Sequence, residues 1–240
     1  MKTSKQAWEY EYANRRLMTG VKPAKSFLQW IKHVIKEDGR RGSALPLQGT
    51  RVLDLGSGEG KNALYLATLG ATVDGIEIAS NAVATTKERI KELSDVYGSE
   101  FGVVRVREGS IGQQYQFPDA TFDLIIDITS SNSLSETERM VYLNESCRVL
   151  KSGGRMFVRA LCKDGDTNAK QLLKLHPGQE HDTYLQPDWG LVERVFSEVD
   201  IKALYGTKFT ILNLTKETHY TTVGTQKYKR NFWLLSLRKS

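Results

Sequence analysis

At 240 residues, 40% hydrophobic and with two cysteines, the chain is long enough for one α/β domain with a sizeable core and too poor in cysteine for a disulfide-built scaffold. No apolar run approaches the roughly 20 residues that span a bilayer, and Met1 to Gln6 leads into a charged, aromatic helix rather than an apolar leader, so a cytoplasmic protein without a membrane partner is expected. The formal charge of +6 is uneven: residues 1–50 carry ten Lys/Arg against four Asp/Glu, residues 51–200 sixteen against twenty-three, and residues 201–240 eight against one, so basic ends flank an acidic middle and suit either solubility or an anionic partner.

Residues 4–17 read as a helix, with Trp8, Tyr12 and Arg16 on one face at i, i+4 and i+8, and Gly20 and Pro23 break it. A second helix over 24–37 places Phe27, Ile31, Val34 and Ile35 at helical spacing, and 38–50 is a loop. Strand and helix then alternate: strands at 51–55, 72–77, about 102–107, 122–127 and 155–160, with helices at about 60–69, 80–96 and 135–149. Ser80 is a plausible N-cap, and Ser135 with Glu138 is spaced as a capping box. This alternation predicts a doubly wound, mostly parallel seven-stranded sheet with helices on both faces.

Residues 161–190 are irregular, and a short helix follows from Ser197 to about Tyr205. Strands at 209–214 and 228–237 are separated by about a dozen residues without a helix, which predicts an antiparallel C-terminal pair. The chain divides into a helical extension (1–50), a core (51–160) and an insertion with a terminal hairpin (161–240), all read as one domain.

The densest information lies in Val52-Leu53-Asp54-Leu55-Gly56-Ser57-Gly58-Glu59-Gly60, a short apolar strand ending in an acid and three glycines before a helix. Such a turn brings bare backbone to a helix N-terminus, where a ligand can lie against it. Gly58-x-Gly60-x-x-Ala63 also fits a dinucleotide fingerprint. Asp54 argues against that reading, because a carboxylate faces a pyrophosphate unfavourably.

The pattern Asp-x-Gly-x-Gly-x-Gly resembles the first motif of class I S-adenosylmethionine-dependent methyltransferases, and residues 51–160 resemble that domain strand by strand. The resemblance implies S-adenosylmethionine as cofactor, with S-adenosylhomocysteine as product. It implies contacts from Asp54, Gly56, Ser57, Gly58 and Gly60. Glu77, ending the second strand 23 residues after Asp54, would take the ribose hydroxyls, and Ile78 would cover the adenine. Ser110 stands where the family usually has Asp, with the Ile111 amide beside it. Asp127, ending the fourth strand, is placed for the cofactor, for a substrate or for a loop cap. Tyr12 and Arg16 would reach the cofactor from a lid-like helix, although a face packed on the core fits the same spacing.

The acceptor is read less directly. The Asp/Asn-Pro-Pro-aromatic signature of base-amino methyltransferases is missing, Asp127-Ile128-Thr129-Ser130 standing in its place, and so is the Pro-Cys nucleophile of cytosine enzymes. The polar run 129–133 lies where substrate loops sit. His33 reads as structural, and His176 and His181 fall in the insertion with Tyr184 and Trp189 without a metal-binding pattern. His219, in a link from Lys216 to Arg230 that also holds Lys227 and Lys229, is the leading general-base candidate. A small-molecule substrate, possibly anionic, methylated on O, N or S, is the first reading. Alternatives are a nucleic-acid methyltransferase and a non-catalytic adenosylmethionine- or dinucleotide-binding subunit.

Overall fold

A computed structural model describes residues 2–14, 22–187, 190–223 and 226–240, with the side chains of 221–223 and 226–228 left out. Helices α1 (Ser4–Asn14) and α2 (Lys25–Glu37) precede the core. The core runs β1 (Arg51–Leu55), α3 (Lys61–Thr68), β2 (Thr72–Glu77), α4 (Ser80–Tyr97), β3 (Val104–Glu108), β4 (Phe122–Ile128), α5 (Glu136–Val149) and β5 (Leu150–Leu161). Then come α6 (Thr167–Leu175), β6 (Thr183–Leu185), β7 (Val192–Arg194), α7 (Glu198–Gly206), β8 (Thr210–Val223) and β9 (Gln226–Arg238).

Seven strands form one sheet in the order β3-β2-β1-β4-β5-β9-β8. The pairs β1–β2, β1–β4, β2–β3 and β4–β5 are parallel, and β9 runs antiparallel to both β5 and β8. Successive strand residues point to opposite faces. Val52, Leu124, Ile126 and Phe157 therefore meet Phe27, Trp30 and Ile31 of α2 and Ala63 and Leu66 of α3. Leu53, Ile125, Met156, Val158 and Leu235 meet Tyr142 of α5 and Ile201 and Tyr205 of α7. Phe157 stacks on Trp30 with ring centres 5.2 Å apart, which ties the N-terminal helices to the sheet.

Both helices that follow the insertion and the fourth strand begin as their sequences indicate. Ser135 with Glu138, and Ser197 with Asp200, make reciprocal capping boxes. Ser80 is the first residue of α4 rather than its cap, and its hydroxyl donates to Glu9 Oε1 at 2.8 Å. The insertion is more ordered than expected. Asp166 caps α6 by accepting from Ala169 N at 2.8 Å, and β6 and β7 form a small antiparallel pair.

The expected link between the last two strands is not a loop. β8 and β9 continue as one long hairpin with paired residues from Thr210↔Arg238 to Val223↔Gln226. His219 and Tyr220 are strand residues, and His219 is paired with Arg230. The reason is local preference: Thr215, Thr218, Tyr220, Thr221, Thr222 and Val223 are β-branched or aromatic, although their polarity reads as a loop.

Candidate functional site

The glycine turn is built by backbone and by one acid. Gly56 N and Ser57 N donate to Ile76 O at 2.8 and 3.0 Å, which pins the turn to β2. Gly56, Gly58 and Gly60 have φ of +68°, +56° and +79°, a region that side chains disfavour. Each also lacks room for a Cβ. It would lie 2.2 Å from Ser130 Oγ at Gly56, 2.6 Å from Tyr12 Oη at Gly58 and 2.5 Å from Thr86 Cγ2 at Gly60. The first two meet the loop after β4 and the N-terminal helix across a cavity. Gly60 instead seats the turn on α4 and lines neither cavity described below.

Glu77 closes the turn from β2. Its two oxygens accept from Gly58 N and Ala79 N, both at 2.8 Å. Burial pushes its pKa up against those two donors. Spare lone pairs on the same carboxylate remain for a ligand's hydroxyls. Glu77→Ala frees two buried amides and removes that acceptor. We expect S-adenosylhomocysteine affinity to fall by about 1–3 kcal/mol, read by calorimetry, and unchanged affinity would place the ribose elsewhere.

Asp54 is buried at the end of β1, and neither carboxylate oxygen has a hydrogen-bond partner among the described residues. Burial, with the charges of Glu77 and Asp127 beside it, raises its pKa to about 8. The Lys61 charge and the Ala63 amide offset this only in part, so a buried acid on the strand leading into the glycine turn favours a cation, although Asp54 itself lines neither cavity described below.

Two cavities meet there and share Tyr12, Gly56, Ile128 and Thr129. One, of about 80 Å³, is lined by Glu77, Ile78, Ser110, Ile111, Leu134 and Trp8. The other, of about 200 Å³, is lined by Ser57, Gly58, Lys61, Asn62 and Arg159. Ser110 Oγ accepts from Gly112 N at 3.1 Å, so its hydroxyl remains able to donate. Thr129, where the cavities meet, has φ +62°, a strained value for a β-branched residue and one that clusters at functional sites.

Helix α1 roofs the site. Glu9 accepts from Ser80 Oγ and Asn81 Nδ2, and Lys5 pairs with Glu108. Tyr12 is buried over the turn, and burial with the charges of Glu77, Glu59 and Asp54 pushes its phenol well up. Trp8 lies beside it with ring centres 6.1 Å apart. Ala7, Trp8 and Tyr10 pack with Leu191, so the insertion and the N-terminal helix touch. Arg16 and Trp189 lie outside the described residues.

Asp127 does not line either cavity. Its Oδ1 accepts from Ser130 N and Ser131 N at 2.9 and 3.3 Å, and its Oδ2 accepts from Tyr142 Oη at 2.8 Å. Tyr142 in turn meets Tyr205 Oη at 3.2 Å. Of the roles open to it, this is the loop cap, because a fully buried carboxylate takes the nearest donors. Burial is the main cause of its raised pKa. Asp127→Ala leaves two loop amides without their acceptor and Tyr142 with Tyr205 alone, and should cost about 2–3 kcal/mol in urea denaturation; a loss near zero would contradict the anchoring role.

His219 also stands back from the cavities. Its Nε2 is 3.0 Å from Glu217 Oε2, and its ring meets Phe232 edge-on. Glu217 also accepts from Arg159 Nε at 3.0 Å, so His219 touches the site through two other side chains. His33 is exposed and pairs with Glu37 instead of packing in the core, while His181 pairs with Asp182 and is also exposed. Lys61 and Arg159 line the second cavity without belonging to the motif that marks the turn. Lys61 directly follows the turn, and Arg159 interrupts a buried apolar strand, and both signals were present.

A seven-stranded sheet with this order, an acid-tipped β1, a glycine turn and an acid-tipped β2 defines the class I methyltransferase fold. The residues present fit its cofactor: the buried Asp54 carboxylate, without a hydrogen-bond partner among the described residues, suits a cationic ligand, and the bare turn and Glu77 suit an adenosine. Residues 53–158 match the methyltransferase domain family, so that segment of the chain carries a methyltransferase domain. It is similar to the O-methyltransferase resE of Aspergillus sclerotiorum, 31% identical over 136 residues, covering 53% of this chain and 46% of that one. It is also similar to a ubiquinone biosynthesis O-methyltransferase of Pelagibacter ubique, 25% identical over 207 residues and covering 82% of both. Among solved structures, a SAM-dependent methyltransferase of Methanosarcina mazei superposes with a TM-score of 0.66 at 23% identity, covering 80% of this chain and 94% of that one. The chain thus spans about half the length of the first of these relatives. The antiparallel β9 separates it from a dinucleotide dehydrogenase half, whose added strand would be parallel.

Proposed function

We propose that this chain methylates O, N or S of a small, anionic molecule. The observation that carries the reading is the glycine turn held by Glu77, beside a small cavity that Tyr12 of α1 also lines and whose wall holds Lys61 and Arg159, with the buried Asp54 on the strand leading into the turn. S-adenosylmethionine, when bound, supplies a methyl group on a cationic sulfur, which an acceptor takes by in-line displacement. Asp54 and Glu77 hold the cofactor's cationic and hydroxyl-bearing parts. Trp8, Tyr12 and Leu191 keep water from the reacting face, and the loop at Thr129, anchored by Asp127, fixes the cavity shape. The O-methyltransferase names of the relatives support a small acceptor, and the cations Lys61 and Arg159 in the cavity wall support an anionic one. The same reading includes a cytoplasmic location and all segments working as one domain; no described helix is long and apolar enough to cross a membrane.

The test is calorimetry with S-adenosylhomocysteine and with NADH, followed by mass detection of methylated products from a panel of small organic acids and their neutral analogues. Saturable binding of S-adenosylhomocysteine and methylated acids are expected. Binding of NADH alone, or methylation of RNA with none of the acids, would overturn the proposal.

A further inference from the structure

Arg159 is a charged residue set apart from the strand that carries the glycine turn. It stands on β5, and β4 lies between that strand and β1. Two interstrand spacings, roughly 10 Å, therefore separate its backbone from the strand that carries the glycine turn. Its neighbours Phe157, Val158, Ala160 and Leu161 are all buried. A guanidinium in such a strand carries a desolvation cost that must be offset by partners.

Among the described residues, the partners hold one edge of it and no hydrogen bond engages the other. Arg159 Nε donates to Glu217 Oε2 at 3.0 Å, and the guanidinium carbon lies 3.4 Å from the centre of the Phe232 ring. Glu217 is itself braced by His219. The contact with Glu217 uses the Nε edge, so the terminal nitrogens still have N–H groups to give, and the side chain lines the cavity that begins at the glycine turn. Across that cavity stands Lys61, whose pKa is lowered by burial and by the charge of Arg159. Glu59, in the wall of the same cavity, and Asp54 act on Lys61 in the opposite sense, and a small organic anion in this cavity would join the two cations. Lys61, at the first turn of α3 beside the glycines, is positioned for the cofactor's end of the space. Arg159 is positioned for whatever lies beyond it, past Ile128 and Thr129.

The geometry points to Arg159 as the acceptor-binding residue, its guanidinium taking the carboxylate or phenolate of a small flat organic anion in a paired hydrogen bond. Glu217 and His219 act as positioning residues. This rests on the methyltransferase reading and adds the group that recognises the acceptor. A planar fork stacked on Phe232 is pre-organised for a planar oxyanion, which a lysine at this position is not. The residue also gives the β8–β9 hairpin a task, since Glu217, His219 and Phe232 all come from it.

The experiment uses the whole chain saturated with S-adenosylhomocysteine and follows 4-fluorobenzoate by fluorine NMR, with 4-fluorobenzamide as the neutral counterpart. The wild type should bind the benzoate and not the benzamide. Arg159→Ala should weaken the benzoate by about tenfold or more, Arg159→Lys by less, and Glu217→Gln by an intermediate factor. S-adenosylhomocysteine affinity should stay within about twofold in all three, which also shows that they are folded. Equal benzoate binding in wild type and Arg159→Ala, no benzoate binding to the wild-type complex, or equal binding of the benzamide would overturn the inference while leaving the cofactor reading intact. Failure of the wild type to bind S-adenosylhomocysteine would overturn both.

Discussion

Gly58→Val is expected to abolish S-adenosylhomocysteine binding while the chain still folds. Three effects converge at this position. The backbone has φ +56°, where a β-branched residue costs of order 1–3 kcal/mol. The first added carbon would sit 2.6 Å from Tyr12 Oη, so either the turn or the roof must move. The Gly58 amide is also one of the two that Glu77 holds, so a displaced turn carries the ribose acceptor with it. None of the three involves the packed faces of the sheet. Far-UV circular dichroism should therefore match the wild type, with a melting temperature lower by a few degrees. Affinity should fall by about a hundredfold or more. Tyr12→Phe combined with Gly58→Ala separates the clash from the strain, because it removes the nearest atom and leaves φ unchanged. Normal binding by Gly58→Val would mean that the turn is not the cofactor site.

Cofactor binding should release a proton, with Asp54 as its source. With a pKa near 8, Asp54 is mostly protonated at pH 7 in the free protein. A cationic ligand stabilises the carboxylate form, so the proton leaves on binding. Affinity should rise as pH increases from about 6 to about 8 and level off above. Calorimetry at pH 7 in two buffers of different ionisation enthalpy reads the proton directly. The linked stability has the opposite sign. The folded pKa lies above the unfolded value of 3.8, so the ligand-free fold binds more protons than the unfolded chain and loses stability as pH rises through the interval between them. Saturating S-adenosylhomocysteine should flatten that slope. Asp54→Asn should remove the released proton and weaken binding by about tenfold. Affinity that ignores pH, with the same buffer heat for wild type and Asp54→Asn, would rule Asp54 out.

Much of this architecture is legible in the sequence because it is locally encoded. The boundaries of β1 and β2 follow from short apolar runs ending in Asp54 and Glu77. The capping boxes at Ser135 and Ser197 need a pair of residues at fixed spacing. The glycine turn announces itself because few other residues reach those φ values. What local pattern could not show is where a side chain turns once the strand is placed. Asp127 ends β4 at the ligand edge, as expected, yet points under the loop because Tyr142, from a helix 15 residues later, offers a buried hydroxyl. Between 216 and 230 the sequence reads as a loop where the structure has the β8–β9 hairpin, because both faces of the hairpin carry polar residues and the period-2 contrast of a half-buried strand is missing. His219 moved from loop to strand with it, and Arg159 gained its partners from the same segment. The contacts that matter there join residues 58 positions apart, between Arg159 and Glu217, a distance over which spacing carries no signal.

The position of β9 sets an order on how this molecule assembles. It lies between β5 and β8 and supplies a hydrogen-bonding neighbour to each. β8 is made before β9, so on a growing chain it waits as fourteen residues of bare strand with no edge to join. The parallel strands from β3 to β5 can close among themselves earlier, since each has a neighbour already made. Completion of the sheet is therefore a late, long-range event, of the kind that slows folding and exposes strand edges on the way. Translation pausing or a shortened chain that omits β9 would leave two unsatisfied edges, on β5 and on β8, and a protein prone to joining its own copies.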